Sequence, residues 1–533
     1  MLALCPARPA CPGPRPSPGY GSGVTTTLTH LRRIIGWGRT LARHGALIEL
    51  ERSRATPPAL RRLFRLARVG LRTPARPDYP GALRAIGPAA VKLGQALATR
   101  PDLVGDAAAR DLMQLQDRLP PLPFPLIRRE IEEAFGRPLQ QLYAAFDEAP
   151  VGAASVAQVH RARTHDGRDV AVKVLRPGIE EEIARATETY EWLAAHLEER
   201  GGEFQRLRPR HVIAQFKTWT ATELDLRREA ASASLLAENM GGEPDFVVPK
   251  VDWPRTSRRV LTIEWIDGIK LGDRDALLAA GHDLPRLARI LVRTFLTQAI
   301  RHGFFHADLH HGNLFATPDG KLAAIDFGIM GRLHRQARHW LAEILYGLIT
   351  ANYDRVAEIH FEAGYVPPHF NAAEFATALR AVGEPIRGLP VKDISVGGML
   401  DGLFAITRDF EMPTQPHLLL LQKTLVMEEG VATSLDPDIN MWQAAEPFLA
   451  AWIRDELGPE ARLANAIHSS ARLAALLPDL LRRADKLVPK PGAAPPAPPL
   501  PVIATINPAG LLKPAAIALV SLAVGAFFGA IVF

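Results

Sequence analysis

Three polar side chains in the second half of the sequence have the types and spacing that phosphoryl transfer needs. Asp308 stands five residues before Asn313, and Asp326 opens the run Asp-Phe-Gly. Phosphoryl transfer uses a carboxylate near the attacking hydroxyl, and Mg²⁺ takes oxygen ligands such as an amide oxygen and a second carboxylate. We therefore predict that Asp308 is catalytic and that Asn313 and Asp326 bind the metal ion.

A lysine further upstream supplies a cation for nucleotide phosphates. Lys173 closes the run Val-Ala-Val-Lys at residues 170–173. Protein kinases place such a lysine, a D-x-x-x-x-N loop and DFG in the same order along the chain. A lysine at the end of a strand is more often solvated, but Lys173 follows a loop of small residues by one hairpin. We predict that it is a catalytic residue that binds the phosphates of ATP or ADP, with Mg²⁺ as the second cofactor.

The loop at residues 150–160 stands where kinases have a glycine-rich loop. It carries alanines at positions where glycines would let the backbone approach the phosphates closely. We therefore expect the nucleotide to be held differently, with a less productive placement of the γ-phosphate. The residues that we predict to contact the nucleotide in the loop and the hairpin are Val151, Gly152, Ala153, Ala154, Ser155, Val156, Val159 and Ala171.

A later helical stretch offers a carboxylate for the lysine. It contains Glu223, Asp225 and Glu229, and the last two have the i, i+4 spacing of one helix face. Glu229 is the predicted partner of Lys173 in the nucleotide site. Because 56 residues separate the two, an inserted segment is predicted between them, formed by helices over residues 180–205.

The segment after the next strand is predicted to bind adenine. An apolar strand over residues 259–265 leads into Asp267-Gly268, which has the character of a hinge between two lobes. Backbone groups of Glu264 and Ile266 are therefore predicted to contact the base.

The order of the kinase-like motifs and the periodicity of the apolar residues together predict an α+β, protein-kinase-like bilobal fold with an N-terminal helical extension and a C-terminal transmembrane helix. Strands over 151–160 and 169–175 are joined by a turn at Asp166-Gly167, and helices are predicted over 180–200, 209–239 and 284–302. The predicted units are a disordered tail (1–23), a basic helical extension (24–146), an N-lobe with a helical insertion (147–268), a helical C-lobe (269–487), a proline-rich linker (488–513) and a transmembrane helix (514–533).

The C-terminal segment has the composition of a membrane span. Residues 514–533 are 20 residues without a charge, and at about 1.5 Å per residue such a helix crosses the roughly 30 Å of a bilayer core. A buried core helix is the alternative. Basic residues precede the segment, so we predict that the body lies on the cytoplasmic side. The spacing of Gly525 and Gly529 favours a homodimer.

Composition narrows the choice of function further. The two cysteines, Cys5 and Cys11, lie in the proline-rich tail, so the folded body has no disulfide framework, cysteine-based zinc site or thiol nucleophile. Residues 28–77 contain twelve arginines against Glu49 and Glu51. This segment either faces phosphate, of lipid headgroups or of nucleic acid, or forms a solvated basic face. We predict a lipid partner and no nucleic-acid partner.

Several short runs carry a family-specific pattern. They are Val91-Lys-Leu-Gly-Gln95, Thr99-Arg-Pro-Asp-Leu103, Leu115-Gln-Asp117, Pro120-Pro121, Ala157-Gln-Val-His160, Glu223-Leu-Asp225 and His306-Ala-Asp-Leu-His-His-Gly-Asn313. With these runs the sequence resembles the UbiB (ADCK-type) family of atypical kinases linked to ubiquinone biosynthesis, over roughly residues 28–440. The K-x-G-Q element is specific to that family, and the C-terminal apolar segment is similar to that of bacterial members.

The resemblance implies a kinase-like fold with a helical extension over the active site. Lys92 and Gln95 would act catalytically from that extension, with Glu223 and Asp225 as partners. Without the family, a Lys-x-Gly-Gln run on a helix would more often be plain surface. The resemblance implies an ATPase that supports, with ubiquinone-biosynthesis enzymes, the membrane steps that modify polyprenylphenol precursors. Bacterial members have two C-terminal spans where this chain is predicted to have one, so we predict a single-pass protein of the bacterial inner membrane.

Two features argue against phosphorylation of proteins. No Ala-Pro-Glu run follows DFG, and Ala307 replaces the arginine that reads a phosphorylated activation loop. A genuine protein or small-molecule kinase and a non-catalytic, nucleotide-sensing scaffold remain as alternatives. The scaffold is disfavoured because Lys173, Asp308, Asn313 and Asp326 are all intact.

Two further hypotheses about function have less support in the sequence. A hydroxylase lacks a G-x-G-x-x-G turn after a strand and a facial metal triad. His306, His310 and His311 could bind a metal ion, but in a kinase-like loop His306 more often braces the loop by hydrogen bonding.

Overall fold

The computed structural model describes residues 27–48, 77–98, 119–199, 208–387 and 416–457, with short stretches between 65 and 74, at 111–112 and between 402 and 412. The predicted tail (1–23), linker (488–513) and transmembrane helix (514–533) lie outside these residues. None of the described helices is both long enough and apolar enough to span a bilayer.

The N-terminal extension is a helical layer on the first lobe. Its described helices are α1 (Thr27–Arg43), α2 (Tyr79–Ile86) and α3 (Pro88–Ala98). Asp78 starts α2 by accepting a hydrogen bond from the Gly81 backbone N–H (2.8 Å), which satisfies one of the free donors at a helix start. Ile34, Leu41 and Leu93 are buried in the same apolar cluster as core residues of the first lobe, so the extension and the lobe share one core.

A five-stranded antiparallel sheet forms the first lobe. Its strands are β1 (Ala145–Phe146), β2 (Gly152–Ala153), β3 (Ala157–Arg163), β4 (Asp169–Leu175) and β6 (Val260–Glu264), in the order β1-β3-β4-β6 with β2 beside β3. Val170, Val172 and Val174 pack in a core with α4 (Phe124–Phe135) and α5 (Leu139–Leu142). Because side chains alternate along a strand, Lys173 must face the opposite side of the sheet. The predicted hairpin turn at Asp166-Gly167 is present.

Among the residues described between the hairpin and β6, three α-helices are present. They are α6 (Ile179–Glu198), α7 (Pro209–Glu223) and α8 (Leu226–Asn239). The helical periodicity predicted over 209–239 is present as two helices, and the prediction that Glu223, Asp225 and Glu229 lie on one helix was wrong, because the helix breaks at Leu224-Asp225. Asp225 has extended backbone angles and its side chain accepts a hydrogen bond from the Arg227 N–H (3.2 Å), so it begins a new helix. Asp225 and Glu229 therefore do not share one continuous helix face with Glu223.

The second lobe is mostly helical. A four-stranded sheet contains β5 (Phe246–Val247), β7 (Ile269–Lys270), β9 (Leu314–Ala316) and β10 (Leu322–Ala324), and β8 (Phe304–His306) pairs with β11 (Met330–Arg332). The helices are α9 (Arg274–Ala279), α10 (Leu284–Leu296), α11 (Arg335–Ile349), α12 (Tyr353–Glu362), α13 (Ala372–Arg387), α14 (Pro416–Leu435) and α15 (Met441–Leu457). The long helix predicted over 284–302 is α only to Leu296, and Thr297–His302 continue it as a π-helical turn.

Candidate nucleotide site

A buried ionic cluster joins the two lobes. Lys173 Nζ lies 2.8 and 2.9 Å from the two carboxylate oxygens of Glu229 and 3.2 Å from Asp326 Oδ2. The predicted Lys173–Glu229 pair is thus present, between β4 and α8. The Glu229 side chain is 7% exposed, whereas that of Asp326 is 43% exposed. The cluster is therefore anchored on its inner side and open on the side of Asp326.

The charges in this cluster depend on one another. Burial alone would lower the pKa of Lys173, but the carboxylates of Asp326 and Glu229 raise it above its ordinary value. Burial raises the pKa of Glu229 to about 7, against the attraction of Lys173. For Asp326 the charge of Lys173 and the Gly328 N–H outweigh burial, and the pKa falls below its ordinary range. Lys173 is therefore a charged, oriented cation at neutral pH, as in a kinase site with its lysine–glutamate pair in place.

Buried hydrogen bonds hold the catalytic loop. The His306 N–H donates to Gln298 Oε1 (2.9 Å), and the Asp308 N–H donates to His306 Nδ1 (3.1 Å). Because Nδ1 accepts, the neutral ring carries its proton on Nε2, and burial lowers the pKa of His306. Asn313 Nδ2 donates to the Asp308 carbonyl oxygen (3.2 Å). His306 thus braces the loop, while Asp308 and Asn313 are locked to each other.

The donor set fits a hard cation that takes part of its ligands from phosphate. Asp326 offers a carboxylate whose Oδ1 also accepts the Gly328 N–H (3.0 Å), and Asn313 offers its amide oxygen. Mg²⁺ is usually held by one or two carboxylates plus substrate phosphates rather than by an all-protein cage. Within the described part of the chain, no group of three or more His, Cys, Asp or Glu side chains could form such a cage.

The alanine-rich loop is a tight turn between β2 and β3. The Ala154 N–H donates to the Ala157 carbonyl (2.7 Å), so the strand predicted over 151–160 is interrupted. Arg176, which is not part of the turn, stabilises it. Its Nε donates to the Ala154 carbonyl (2.9 Å), and its backbone N–H donates to the Val156 carbonyl (2.8 Å). A second guanidinium nitrogen donates to the Pro120 carbonyl (2.8 Å). One arginine therefore ties the loop to the N-terminal extension.

The other predicted nucleotide residues lie around this turn. Val159 stands opposite Lys173 in the β3–β4 register and shares its face of the sheet. Ala171 lies two residues before Lys173 on that same face. Val151 is exposed and Gly152 and Ala153 form β2, whereas Ser155 and Val156 are buried in the turn.

A chain of buried hydrogen bonds runs behind the loop. The Leu122 N–H donates to Gln158 Oε1 (2.9 Å), Gln158 Nε2 lies 2.8 Å from His160 Nε2, and His160 Nδ1 lies 2.8 Å from the Asp147 carbonyl. His160 can donate to that carbonyl only from Nδ1, so Nε2 accepts from the Gln158 amide. Burial lowers the pKa of His160, which keeps the ring neutral in this chain. Gln158 and His160 of the run Ala157-Gln-Val-His160 therefore fix the loop to the extension.

The K-x-G-Q element lies on α3, behind the same lobe. Lys92 is 4% exposed, forms a short ion pair with Glu223 and lies over the ring of Trp219 (5.8 Å). Gln95 is half-buried one turn further along α3. The prediction that Asp225 also partners Lys92 was wrong, since its carboxylate binds the Arg227 guanidinium (2.7 and 2.9 Å) and caps α8. Lys92 thus ties the extension to the end of α7, next to the helix that carries Glu229.

Backbone hydrogen bonds limit how the predicted hinge residues Glu264 and Ile266 can contact adenine. The Glu264 N–H donates to the Lys250 carbonyl (2.8 Å), and the Trp265 N–H donates to the Asp169 carbonyl (3.0 Å). Any contact of Glu264 with adenine must therefore use its carbonyl oxygen. Ile266 follows directly, in the segment between β6 and β7.

Three residues of this region were missed by sequence reasoning. Lys423 Nζ, on α14, lies 3.0 Å from Asp308 Oδ1. Gln298 reaches the catalytic loop from the π-helical turn, a feature frequent at functional sites, and Arg176 pins the alanine-rich loop. In the sequence, Lys423 stands out only as the single charged residue in the mostly apolar run Leu418–Met427. That pattern does not predict a pairing with Asp308.

Comparisons with known proteins identify the family of this chain. Residues 114–360 match the model of the ABC1 atypical kinase-like domain, and residues 379–440 match that of the UbiB helical domain. The chain is 44% identical over 382 residues to "Probable protein kinase UbiB" of Marinobacter nauticus, covering 71% of this chain and 70% of that protein. Among solved structures it is similar to the complex of Rv3197 with erythromycin from Mycobacterium tuberculosis, at 25% identity and a TM-score of 0.47, covering 66% of this chain and 90% of that chain. With both domain models matched and 44% identity over more than two thirds of each protein, the chain belongs to the UbiB family of atypical kinase-like proteins.

Proposed function

We propose that this protein is a membrane-anchored, kinase-like ATPase that binds Mg²⁺ with ATP or ADP and supports ubiquinone biosynthesis at the steps that modify polyprenylphenols. The observation that carries the proposal is the Lys173–Glu229 ion pair beside Asp326 of DFG, because active kinases require the lysine–glutamate pair and a DFG aspartate placed to bind Mg²⁺. A pure scaffold would have no need of this cluster together with Asp308 and Asn313.

Each residue has a distinct task in the proposed site. Lys173 binds the α- and β-phosphates, and Glu229 orients it. Asp326 and Asn313 hold Mg²⁺, which when bound neutralises charge on the phosphates. Asp308 accepts the proton of the attacking hydroxyl or water. The cleft face of β3 and β4, with Val159 and Ala171, covers the base, and the carbonyl of Glu264 and the backbone at Ile266 recognise its edge.

The acceptor is proposed to be water or a small molecule rather than a protein. In ordinary kinases a peptide docks on the segment between DFG and the next helix. Here β11 (Met330–Arg332) pairs with β8 directly after DFG, and α11 begins at Arg335. This short connection supports hydrolysis or a small-molecule acceptor over a peptide. A genuine protein kinase remains the second candidate.

An exposed stripe on α1 supports attachment to an anionic lipid surface. Leu28 and Ile35 are 75% and 52% exposed, and Arg32 and Arg39 are exposed between and after them. At 100° per residue these four positions fall on one narrow face of the helix. Alternating apolar and arginine side chains on one exposed face suit the headgroup region of a membrane. Together with the span predicted at 514–533, this supports a location at the bacterial inner membrane with the body in the cytoplasm.

A cavity in the second lobe supports an apolar partner. It has a volume of about 230 Å³ and lies among α10, α11, α14 and α15, with Phe295, Leu341, Leu421 and Leu449 in its wall. An apolar cavity of about 150 Å³ is enough to bind benzene, so this one accommodates a substituted ring or a short isoprenoid segment. The indole N–H of Trp442 in its wall is buried and donates to no acceptor among the described residues. An alkylated phenol offers both the apolar body and the acceptor.

The test is ATP hydrolysis by the purified full-length protein with Mg²⁺. Turnover should be measurable, should fall to background in Lys173→Ala, and should rise on vesicles that contain anionic lipid and a polyprenylphenol. Lys217→Ala is the matched control, because Lys217 is an exposed lysine whose ion pair is with Glu191. Turnover that persists in Lys173→Ala, or no nucleotide binding at all, would contradict the proposal.

A further inference from the structure

We propose that Lys423 is a positioning residue of the active site, which orients the Asp308 carboxylate and balances its charge from the C-terminal helical domain. The inference rests on the proposed function and adds a residue to its machinery. Lys423 Nζ lies 3.0 Å from Asp308 Oδ1, and both side chains are partly exposed, at 28% and 27%. The two residues are 115 positions apart, so the contact exists only in the folded chain.

The catalytic loop itself does not supply this charge. Between Asp308 and Asn313 stand Leu309, which is buried, then two histidines and a glycine. His310 Nε2 is 3.8 Å from Asp308 Oδ2, beyond hydrogen-bond range. Lys423 reaches the other oxygen at hydrogen-bond distance. An ammonium donor on Oδ1 leaves Oδ2 as the oxygen that can accept a proton from an attacking group.

The count of charges at the cleft gives a second reason. The carboxylates of Glu229, Asp326 and Asp308 face the ammonium groups of Lys173 and Lys423. Without Lys423, one lysine would oppose three carboxylates at the place where a polyphosphate must bind. Like charges in a partly desolvated cleft repel strongly, and phosphoryl transfer depends on cations near the reacting group. Lys423 therefore lowers the repulsion on the acceptor side, away from the Lys173–Glu229 pair.

The rest of α14 makes the position of Lys423 firm. Leu421 and Thr424 on either side are buried, and Val431 and Leu435 anchor the helix in the core that also contains Phe327 of DFG. A lysine held by a packed helix loses less side-chain freedom than one on a loop when it binds its partner. The domain that matches residues 379–440 thus contributes a side chain to the site built by residues 114–360.

The proposal is tested with Lys423→Met, Lys423→Arg, Asp308→Asn and the double variant Lys423→Met with Asp308→Asn. We expect Lys423→Met to lower Mg-ATP turnover about 10- to 100-fold, the scale of losing one well-placed donor. Binding of a fluorescent ADP analogue should change less than about three-fold, since Lys423 contacts the loop and not the predicted phosphate site. Lys423→Arg should recover most of the turnover.

A double-mutant cycle separates positioning from mere packing. The melting temperature should drop from the unchanged protein to Lys423→Met, but not from Asp308→Asn to the double variant, because the partner charge is then already absent. Unchanged or increased turnover in Lys423→Met would overturn the proposal, as would an equal drop in melting temperature in both backgrounds. If the unchanged protein neither binds nor hydrolyses ATP, the proposed function fails, and the melting cycle alone decides whether Lys423 acts through Asp308.

Discussion

The two sides of the cleft are built on different principles. On the nucleotide side, Lys173, Glu229 and Asp326 form a mostly buried ionic cluster from elements that every kinase-like chain has. On the acceptor side, Asp308 is held by Lys423, which comes from a helix outside the kinase-like domain. The alanine-rich loop between them is tied by Arg176 to the N-terminal extension. In this chain the lysine–carboxylate cluster therefore lies within the kinase-like domain, whereas the contacts that hold Asp308 and the alanine-rich loop reach the flanking helical parts.

The sharpest test of the nucleotide side is Asp326→Asn. The amide removes the metal-binding charge while keeping the shape of the side chain, so Mg-dependent ATP turnover should fall by about 10³-fold or more, and ubiquinone production in cells should stop. Both are measured against Asp319→Asn, a control carboxylate on the β9–β10 turn that pairs with Lys321. Normal ubiquinone with an inactive site would mean that catalysis is not the function.

Removal of the inner partner tests how the cluster is held. In Glu229→Ala the lysine faces only the more exposed Asp326, and loss of one partner of a mostly buried pair costs about 3–5 kcal/mol. We expect a clear drop in the urea midpoint and a loss of tight ADP binding. Glu133→Ala, which breaks an exposed i, i+4 pair with Arg129, should leave both unchanged. A stable Glu229→Ala protein with normal ADP affinity would show that the cluster is not needed for nucleotide.

The loop between the two sides is probed by Ala153→Gly with Ala154→Gly. Glycines would loosen the turn and allow closer approach to phosphate, so the ratio of ATP to ADP affinity or the turnover should change by about three- to ten-fold. Isothermal titration with both nucleotides measures the ratio. Gly152→Ala makes the opposite change, from glycine to alanine, in the same region. The added Cβ meets no atom within 4 Å, so the substitution fits without a clash. Identical kinetics in the double-glycine variant would show that the alanines of the loop do not determine how the nucleotide is held.

The last prediction concerns the free energy of unfolding rather than turnover, and it falls on α14, the helix that carries Lys423. Glu428 on α14 is fully buried, neither of its carboxylate oxygens accepts a hydrogen bond from a described residue, and burial raises its pKa above its ordinary value. A raised folded pKa means that the native state binds the proton more tightly than the unfolded state, so this residue weakens folding increasingly as pH rises. Glu428→Gln should therefore stabilise the protein by about 1–3 kcal/mol at pH 8 and less at pH 5.

Urea unfolding at the two pH values measures this difference. A loss of turnover in the stabilised Glu428→Gln variant would show that the acid is retained for function, whereas normal turnover would mark it as a tolerated defect. Destabilisation at pH 8 would indicate a partner for Glu428 outside the described residues.

Much of the nucleotide side was readable from the residues. The order of Lys173, Asp308, Asn313 and Asp326 predicted a kinase-like fold of two lobes, because the spacing within each run is set by the backbone. The ion pair between Lys173 and Asp326 was not predicted. Glu229 was also found, since its helix had a visible periodicity. The resemblance to the UbiB family is confirmed by the matched domains and the 44% identity.

The errors share a physical origin. Asp225 was placed on the helix of Glu223 because both lie in one helical-looking run, and periodicity does not register a cap in the middle of such a run. The same limit made residues 284–302 look like one α-helix, although the π-helical turn that delivers Gln298 begins at Thr297. Side-chain capping and helix registers of this kind depend on hydrogen bonds that a hydrophobic pattern does not encode.

Residue order alone was therefore enough to identify the kinase-like fold and the family, and it predicts Lys173, Asp308, Asn313 and Asp326 as the residues of a Mg-nucleotide site. Tertiary structure alone brought together distant groups that neither the residue pattern nor the family predicted. Lys423 with Asp308 and Arg176 with Pro120 are such pairs, separated by 115 and 56 residues, whereas the pairing of Lys92 with Glu223 across 131 residues was implied by the resemblance. Such pairs form because the packing of apolar helix faces brings distant elements together. The apolar pattern of a sequence shows which faces are buried, but it does not show which polar side chains will become neighbours.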